Sequence, residues 1–378
     1  MSGETTVFLA GALADHLLRR IVLGRDVAGR QARVINHAVV FDPKTGSTPL
    51  VRLDSGHADG LLMTDLLPED AARLAFYAAV TGDAVQQGLV NGDVGPIQAT
   101  VLVVRDAAAG LLPYDPAEWA AVWAPTLRAT AGDVMALFPT GAVERIAARY
   151  GMMLVRGASR VRAAGAGATT LRHQAGAGDV QIARRGAPYA AFFAVEEYDI
   201  AWRRFRGDIS PPARRAVFVA GDAVTVLPYD PVRDRVLLIE QFRVGPMARG
   251  DAQPWLLEPI AGRIDAGETP QAAARREAVE EAGLTLGALL PVAQYYPTPG
   301  ANSEYLYSYV AICDLPDDAT GIFGLASEAE DIRSHLVPFD AFMALVASGE
   351  VANAPLILTA LWLQRERAAL RPQSVSGS

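Results

Sequence analysis

Three things are scarce in this chain of 378 residues, and each scarcity removes a class of protein. A single cysteine, Cys313, excludes an internal disulfide and any thiolate-bound metal cluster, and a reducing cytoplasm is the expected home. Basic residues are outnumbered, 34 Lys and Arg against 42 Asp and Glu, for a formal charge of -8. No basic stripe with interleaved aromatics is present either, so nucleic acid is not an expected partner. Long apolar runs are missing as well. Stretches such as residues 355–363 are too short to span a bilayer and read as buried helix, so no membrane partner is expected. Residues 1–15 carry Glu4 and Asp15 around a short apolar run with no basic leader, and do not read as a secretion signal. An acidic protein acts on an anionic substrate only where cations or local arginines bridge the two.

What is present is ordinary globular composition, half apolar and about a fifth charged. The length exceeds what one core usually fills, so two domains are expected. Residues 162–178, with two Ala-Gly-Ala-Gly runs, lack periodicity and read as a linker. The boundary is set at 165, giving domains 1–165 and 166–378. Before the seam, residues 7–9 read as a strand and 12–22, 116–131 and 132–149 as helices. After it, residues 191–198, 216–227, 236–242 and 305–313 read as strands. Turn chemistry at Tyr229-Asp230-Pro231 and Arg233-Asp234 predicts a hairpin. Residues 340–348 and 355–370 read as helices, the second with Asn353 as its N-cap. The class is α+β, with neither internal repeat nor low-complexity tract.

One segment carries chemistry. Residues 255–284 read WLLEPIAGRIDAGETPQAAARREAVEEAGL. Thr269 can cap a helix that Pro270 opens and Gly283 closes. On it Glu277, Glu280 and Glu281 fall at i, i+3 and i+4, within about 6 Å of one another on one face. Such a trio repels itself and sits at the end of the helix where the dipole disfavours anions. Hard divalent cations, Mg²⁺ or Mn²⁺, would relieve it through oxygen ligands. The plainer alternative is a solvated acidic face braced by Arg275 and Arg276.

The order Gly262, five residues, Glu268, seven residues, Arg276-Glu277, two residues, Glu280-Glu281, one residue, Gly283-Leu284 decides between them. It resembles the Nudix box at every polar and glycine position, spanning 262–284, with Ala278 standing where a larger aliphatic is more usual. Chance co-occurrence of so many fixed positions is on the order of one in a million. From about residue 192 to 370 the chain is similar to the ADP-ribose pyrophosphatase branch, through RRFRGDIS, LPYDPVRDRVLLIEQFR, LLEPIAGRID, PTPGANSE, GLASEAEDIR and NAPLILTALWLQ. Pro299 matches a feature associated in that family with ADP-ribose.

The resemblance implies an α/β/α sandwich, divalent metal, a nucleotide substrate and a homodimer. It implies metal ligands at Glu277, Glu281, Glu330 and the carbonyl of Ala261, with Glu280 close by. It implies a general base at Glu328 and a further acidic group at Glu304. Glu328 and Glu330, one residue apart, can exchange those roles. Arg215 and Arg243 match phosphate- or nucleotide-binding arginines, and Phe192 matches an aromatic that stacks on adenine, although an aromatic in an Ala-Phe-Phe run equally suits a core. In a homodimer Phe192 and Arg215 would serve the partner subunit's site. The implied reaction is hydrolysis of ADP-ribose to AMP and ribose 5-phosphate. The alternatives are a non-catalytic ADP-ribose sensor, or an enzyme for another nucleotide sugar, NADH or a diadenosine polyphosphate.

Residues 7 to about 163 faintly resemble the gamma-glutamylcyclotransferase-like fold, a small mixed barrel, through the loop Ala10-Gly11-Ala12-Leu13, VLGR at 22–25 and RLAFYAAV at 73–80. Where that fold carries its catalytic glutamate, this chain has Ala78, and Ala75 stands where an aspartate is common. The first half is therefore expected to be inactive and kept for binding, dimerisation or regulation. His57 with Asp54 offers a substitute dyad, and a lone histidine in a loop is more often structural. The fusion resembles Nudix proteins linked to tellurite resistance.

Overall fold

The computed structural model describes residues 6–92, 95–103, 110–165, 167–325 and 330–372. The chain divides into two compact units, one comprising Met1–Gly176 with Asp265–Gly267, the other Ala177–Ile264 with Glu268–Ser378. No helix among the described residues is long and apolar enough to cross a membrane.

The first unit runs β1 (Val7–Ala10), a 3-10 turn (Gly11–Ala14), α1 (His16–Leu23), β2 (Arg30–Phe41), β3 (Leu50–Met63), α2 (Pro68–Thr81), β4 (Ala84–Gly92), β5 (Gly95–Val103), β6 (Leu112–Pro113), α3 (Pro116–Val122), α4 (Ala124–Met135), α5 (Val143–Ala147) and α6 (Tyr150–Ala163). Strands follow the order β3-β1-β5-β4-β2, and β2 pairs again with β3, so five strands close into a barrel. Alternation along β1 divides its side chains. Phe8 enters the barrel with Val34, Leu62 and Val90, whereas Val7 and Leu9 face the layer of Leu18, Val22 and Leu127.

Several expectations shift here. The helix expected over 116–131 breaks at Trp123 into α3 and α4. The helix expected over 132–149 does not form as one piece: α4 ends at Met135, Pro139 and Gly141 interrupt, and α5 and α6 follow. His57 lies on β3, not in a loop, with its ring nitrogen 3.6 Å from Asp59 and not Asp54.

The second unit opens with an antiparallel three-stranded sheet, β7 (Val180–Ala190), β8 (Ala194–Trp202) and β9 (Ala213–Val219). It continues β10 (Ala223–Asp230), β11 (Arg235–Phe242), α7 (Val244–Arg249), β12 (Trp255–Glu258), β13 (Ile260–Arg263), α8 (Pro270–Ala282), β14 (Leu289–Tyr295), β15 (Leu306–Ile312), β16 (Ile322–Phe323), β17 (Ile332–Pro338), α9 (Phe339–Ser348) and α10 (Ala354–Leu370). The strand expected over 216–227 is two strands, parted at Gly221-Asp222. Phe192 lies in the turn before β8, not within a strand.

The order β14-β15-β10-β11-β17-β16, with β12 beside β11 and β13 beside β10, makes a mixed sheet. Val224 and Val226 on β10 and Leu237 and Ile239 on β11 face α8, while Leu227, Tyr229, Val236 and Leu238 face α9 and α10. This strict alternation under two apolar layers produces an α/β/α sandwich. The expected hairpin joins β10 to β11, and Asp230 accepts the backbone N–H groups of Val232 and Arg233 in its turn.

Candidate active site

The site is built around α8. Thr269 Oγ1 accepts the Ala272 N–H at 3.1 Å, Pro270 opens the first turn, and Gly283 takes a φ of 63°, which glycine adopts without strain. Ala273, Ala274, Ala278 and Ala282 form its buried face, and their small size lets the helix lie close on β10 and β13. The unusually small Ala278 is thus part of a consistent alanine seam.

That closeness sets the glutamates against β13, the strand that leads into the helix. Glu281 is buried, and one carboxylate oxygen accepts the Ala261 N–H at 2.9 Å. Glu277 lies directly over Gly262, where any Cβ would occupy the space of its carboxylate. Burial pushes Glu277 up to about 7, with Glu280 and Glu330 adding to the effect and Arg276 opposing it. Burial likewise pushes Glu281 up to about 8, with Glu277 and Glu330 adding, and the Ala261 N–H and Arg243 opposing.

Arg276 holds the cluster together. It donates to both oxygens of Glu268 at 2.9 and 3.0 Å, to Glu277 at 2.7 Å, to Glu280 at 2.9 Å and to the Arg263 carbonyl at 2.9 Å. Arg275 instead donates to the carbonyls of Leu286 and Gly287, so the bracing expected of both arginines falls to Arg276. Glu330 accepts the Leu325 N–H at 3.1 Å and raises the affinity of Glu277 and Glu281 for protons. Glu328, the residue expected to act as base, lies outside the described residues.

Beside the helix, Arg243, Glu258, Ala261, Gly262, Arg263 and Glu304 line a cleft with about 810 Å³ of empty space. Arg243 is clamped by one oxygen of Glu258, with N···O distances of 2.6 and 3.0 Å. Glu258 is itself fixed by the amides of Asn353 at 3.1 Å and Gln241 at 3.4 Å. Burial raises the Glu304 carboxyl, Asp222 adds to the rise and Arg243 opposes it. Phe192 is exposed, and the Arg263 guanidinium lies 4.3 Å from its ring centre, which links it to the cleft wall. Arg215 is not brought to the cleft within this chain: it lies 5.6 Å from the Trp202 ring and donates to the Arg214 carbonyl.

Among the described residues no group of three or more His, Cys, Asp or Glu side chains is disposed to hold a metal by itself. The donor set still suits a hard divalent cation of the Mg²⁺ type, which takes one or two carboxylates and completes its shell with carbonyl, water and phosphate oxygens. Buried and half-buried carboxylates that raise each other's proton affinity are the kind of group such a cation relieves. Glu258, Arg263 and the second role of Asn353 were not foreseen. A carboxylate closing the apolar run Trp255–Leu257 was the available signal for Glu258, since such a group must find a partner when buried.

A family model of the NUDIX domain matches residues 220–358. An ADP-ribose pyrophosphatase of Escherichia coli is 41% identical over 196 residues, covering 52% of this chain and 93% of that protein. The ADP-ribose pyrophosphatase of Haemophilus influenzae is 33% identical over 195 residues, covering 51% of this chain and 89% of that protein. A GDP-mannose pyrophosphatase of Salmonella paratyphi B is 31% identical over 151 residues, or 40% of this chain and 78% of that protein. With the box glutamates on a capped helix, the alanine seam beneath them and these relatives spanned almost end to end, the chain belongs to the Nudix hydrolases, in the branch of the ADP-ribose pyrophosphatases.

Proposed function

We propose that this chain hydrolyses the pyrophosphate of ADP-ribose, or of a close nucleoside diphosphate derivative, to AMP and ribose 5-phosphate with Mg²⁺ or Mn²⁺. The buried Glu281 and the half-buried Glu277, held against the Ala261 backbone and Gly262 of β13, support it most directly. They, with the Ala261 carbonyl and Glu330, would hold the cation, and Glu280 stays close through Arg276. When bound, the cation supplies positive charge to the pyrophosphate oxygens and acidifies the attacking water. Glu328 accepts that water's proton as the new P–O bond forms, and the bridging P–O bond breaks to leave a phosphate monoester. Glu330, one residue away, is the alternative base. Arg243, held by Glu258, binds phosphate, Glu304, which lines the same cleft, orients the substrate, and Phe192 stacks on the adenine. Arg215, away from the cleft in its own chain, fits a homodimer in which it serves the partner's site.

The reading extends to a cytoplasmic enzyme of two domains, 1–165 and 166–378, the first a gamma-glutamylcyclotransferase-like barrel joined to the Nudix half as in tellurite-resistance fusions. The test is phosphate release after phosphatase coupling over ADP-ribose, NADH, ADP-glucose and diadenosine polyphosphates, for wild type and Glu281→Gln. Preference for ADP-ribose, abolished by chelation and reduced by orders of magnitude in the variant, is expected. Binding of ADP-ribose without turnover of any substrate would replace the enzyme by a sensor.

A further inference from the structure

The barrel of the first unit is not sealed along its whole wall. Its described residues pair β2 with β4 only at Arg33 opposite Asn91. Where the two strands part, a cleft of about 640 Å³ opens, which is within the size range of small-molecule sites. Its floor is the barrel interior itself, at the buried Val34, Leu50 and Val101.

Two local features of the sequence make this opening. On β4, Gly88 alternates with the inward Val90 and stands opposite the inward Ala99 of β5, so two small residues meet where larger ones would fill the barrel. A Cβ at Gly88 would lie 3.3 Å from the Val101 side chain. On β2, the pairing with β3 shifts between Ile35 and His37, and Asn36 at the shift takes a φ of 57°, a conformation few residues other than glycine adopt. Val34 faces inward before the shift and Val39 after it, so the shift brings His37 onto the inward face.

There His37 stands directly opposite Arg52, which alternates with the inward Leu50 on β3. Side chains so paired lie side by side, and here both are bases, an arrangement that two like charges disfavour. His37 Nδ1 donates to the Ile35 carbonyl at 2.9 Å. Among the described residues the Arg52 guanidinium has neither an ion pair nor a hydrogen bond, and the side-chain amides of Asn36, Gln86 and Asn91 have no partner either. No carboxylate lines the cleft. In a chain with 42 acidic and 34 basic residues, a cleft that gathers a guanidinium, an imidazole and amides without one acid is complementary to an anion. One permanent cation above an apolar floor matches a single negative charge on an apolar body, and a phosphate dianion would be left half compensated.

We propose that this cleft binds a small organic monocarboxylate, its carboxylate paired with Arg52 and its apolar body lying on Val34, Leu50 and Val101. Gln86, which stands opposite Val101 on the inward face of β4, supplies a neutral donor from the other side of the gap.

The test uses the full chain with sodium 3-phenylpropanoate as probe, and 3-phenyl-1-propanol and sodium phosphate as controls. Saturation-transfer NMR on the probe's ring protons is read as a titration, and thermal unfolding reports that each variant is folded. Wild type is expected to show saturable transfer with the carboxylate, binding the alcohol about tenfold or more weakly, and phosphate is expected not to displace the probe. Arg52→Gln is expected to weaken binding about tenfold or more at an unchanged melting temperature, as loss of a charge-assisted hydrogen bond requires, and Arg52→Lys only a few-fold. Gly88→Val, which fills the floor, is expected to abolish binding of acid and alcohol alike; should it fail to fold, the two Arg52 variants decide. No saturable transfer with folded wild type, equal binding of the alcohol, displacement by equimolar phosphate, or undiminished binding by Arg52→Gln would overturn the proposal.

Discussion

Asn353 offers the sharpest perturbation of the pyrophosphatase site, because its side chain does two separable jobs. Its carbonyl oxygen caps α10 by accepting the Leu356 N–H at 3.0 Å, and its amide donates to Glu258, which clamps Arg243. Serine and aspartate both cap helices about as well as asparagine. Asn353→Ser therefore keeps the cap and loses one hydrogen bond to a buried carboxylate, worth about 1 kcal/mol and so about fivefold in kcat/KM, carried mainly by KM. Asn353→Asp keeps the cap and places a second carboxylate where the amide stood, 3.1 Å from a Glu258 oxygen. Coulomb's law at a near-surface effective dielectric sets an upper bound of about 5 kcal/mol for that repulsion. Partial exposure of residue 353 and proton uptake should reduce it to about 2–3 kcal/mol, or about 30–150-fold in kcat/KM, with a lower melting temperature. Initial rates of ADP-ribose hydrolysis and thermal melts of both variants decide the matter. The reasoning fails if the aspartate variant is no worse than the serine one, or if serine leaves kcat/KM within twofold of wild type.

Other outcomes follow from the same contacts. In Gly262→Ala the new methyl must displace the Glu277 carboxylate, so turnover should fall by about a hundredfold and stability by about 1–3 kcal/mol, and wild-type turnover would refute the close approach. Arg276→Met leaves Glu268, Glu277 and Glu280 without their shared partner; given the partial exposure of these groups, a loss of about 2 kcal/mol is expected in urea unfolding, partly recovered on adding Mg²⁺. Asp234 is held below the ordinary carboxylate range by its bond from Arg367 against the cost of burial, with Tyr229 also donating to it. Its stabilisation is therefore complete above the unfolded value, near pH 4, and disappears as pH falls through the lower folded value. Urea unfolding between about pH 6 and about pH 3 should show a steeper loss in wild type than in Asp234→Asn, which tolerates the left-handed backbone at this position.

The central strands of the second unit, β10, β11 and β15, were legible largely because they are short and apolar, whereas β7, β12, β13, β14, β16 and β17 were not expected. The β10–β11 hairpin could be read from Asp230 and Asp234 because the turn depends on local side chains alone. The α10 cap was readable for the same reason. The first unit was not. The strands β2 and β3 run 12 and 14 residues with a register shift near Asn36, and much of their length is exposed, so apolar alternation marks only part of each. Helix α6 was not expected: it begins where the helix expected over 132–149 ends and runs into the expected linker, because its C-terminal turns are rich in Ala, Gly and Arg, residues that report little about burial.

Within the site the same division between local and distant recurs, and it explains which chemistry could be foreseen. The box packs its carboxylates, their glycine and their arginine into one consecutive strand, loop and helix, so sequence spacing and spatial proximity coincide. The clamp on Arg243 draws Glu258 from one strand end and Asn353 from a helix start 95 residues away, a pairing no spacing rule encodes.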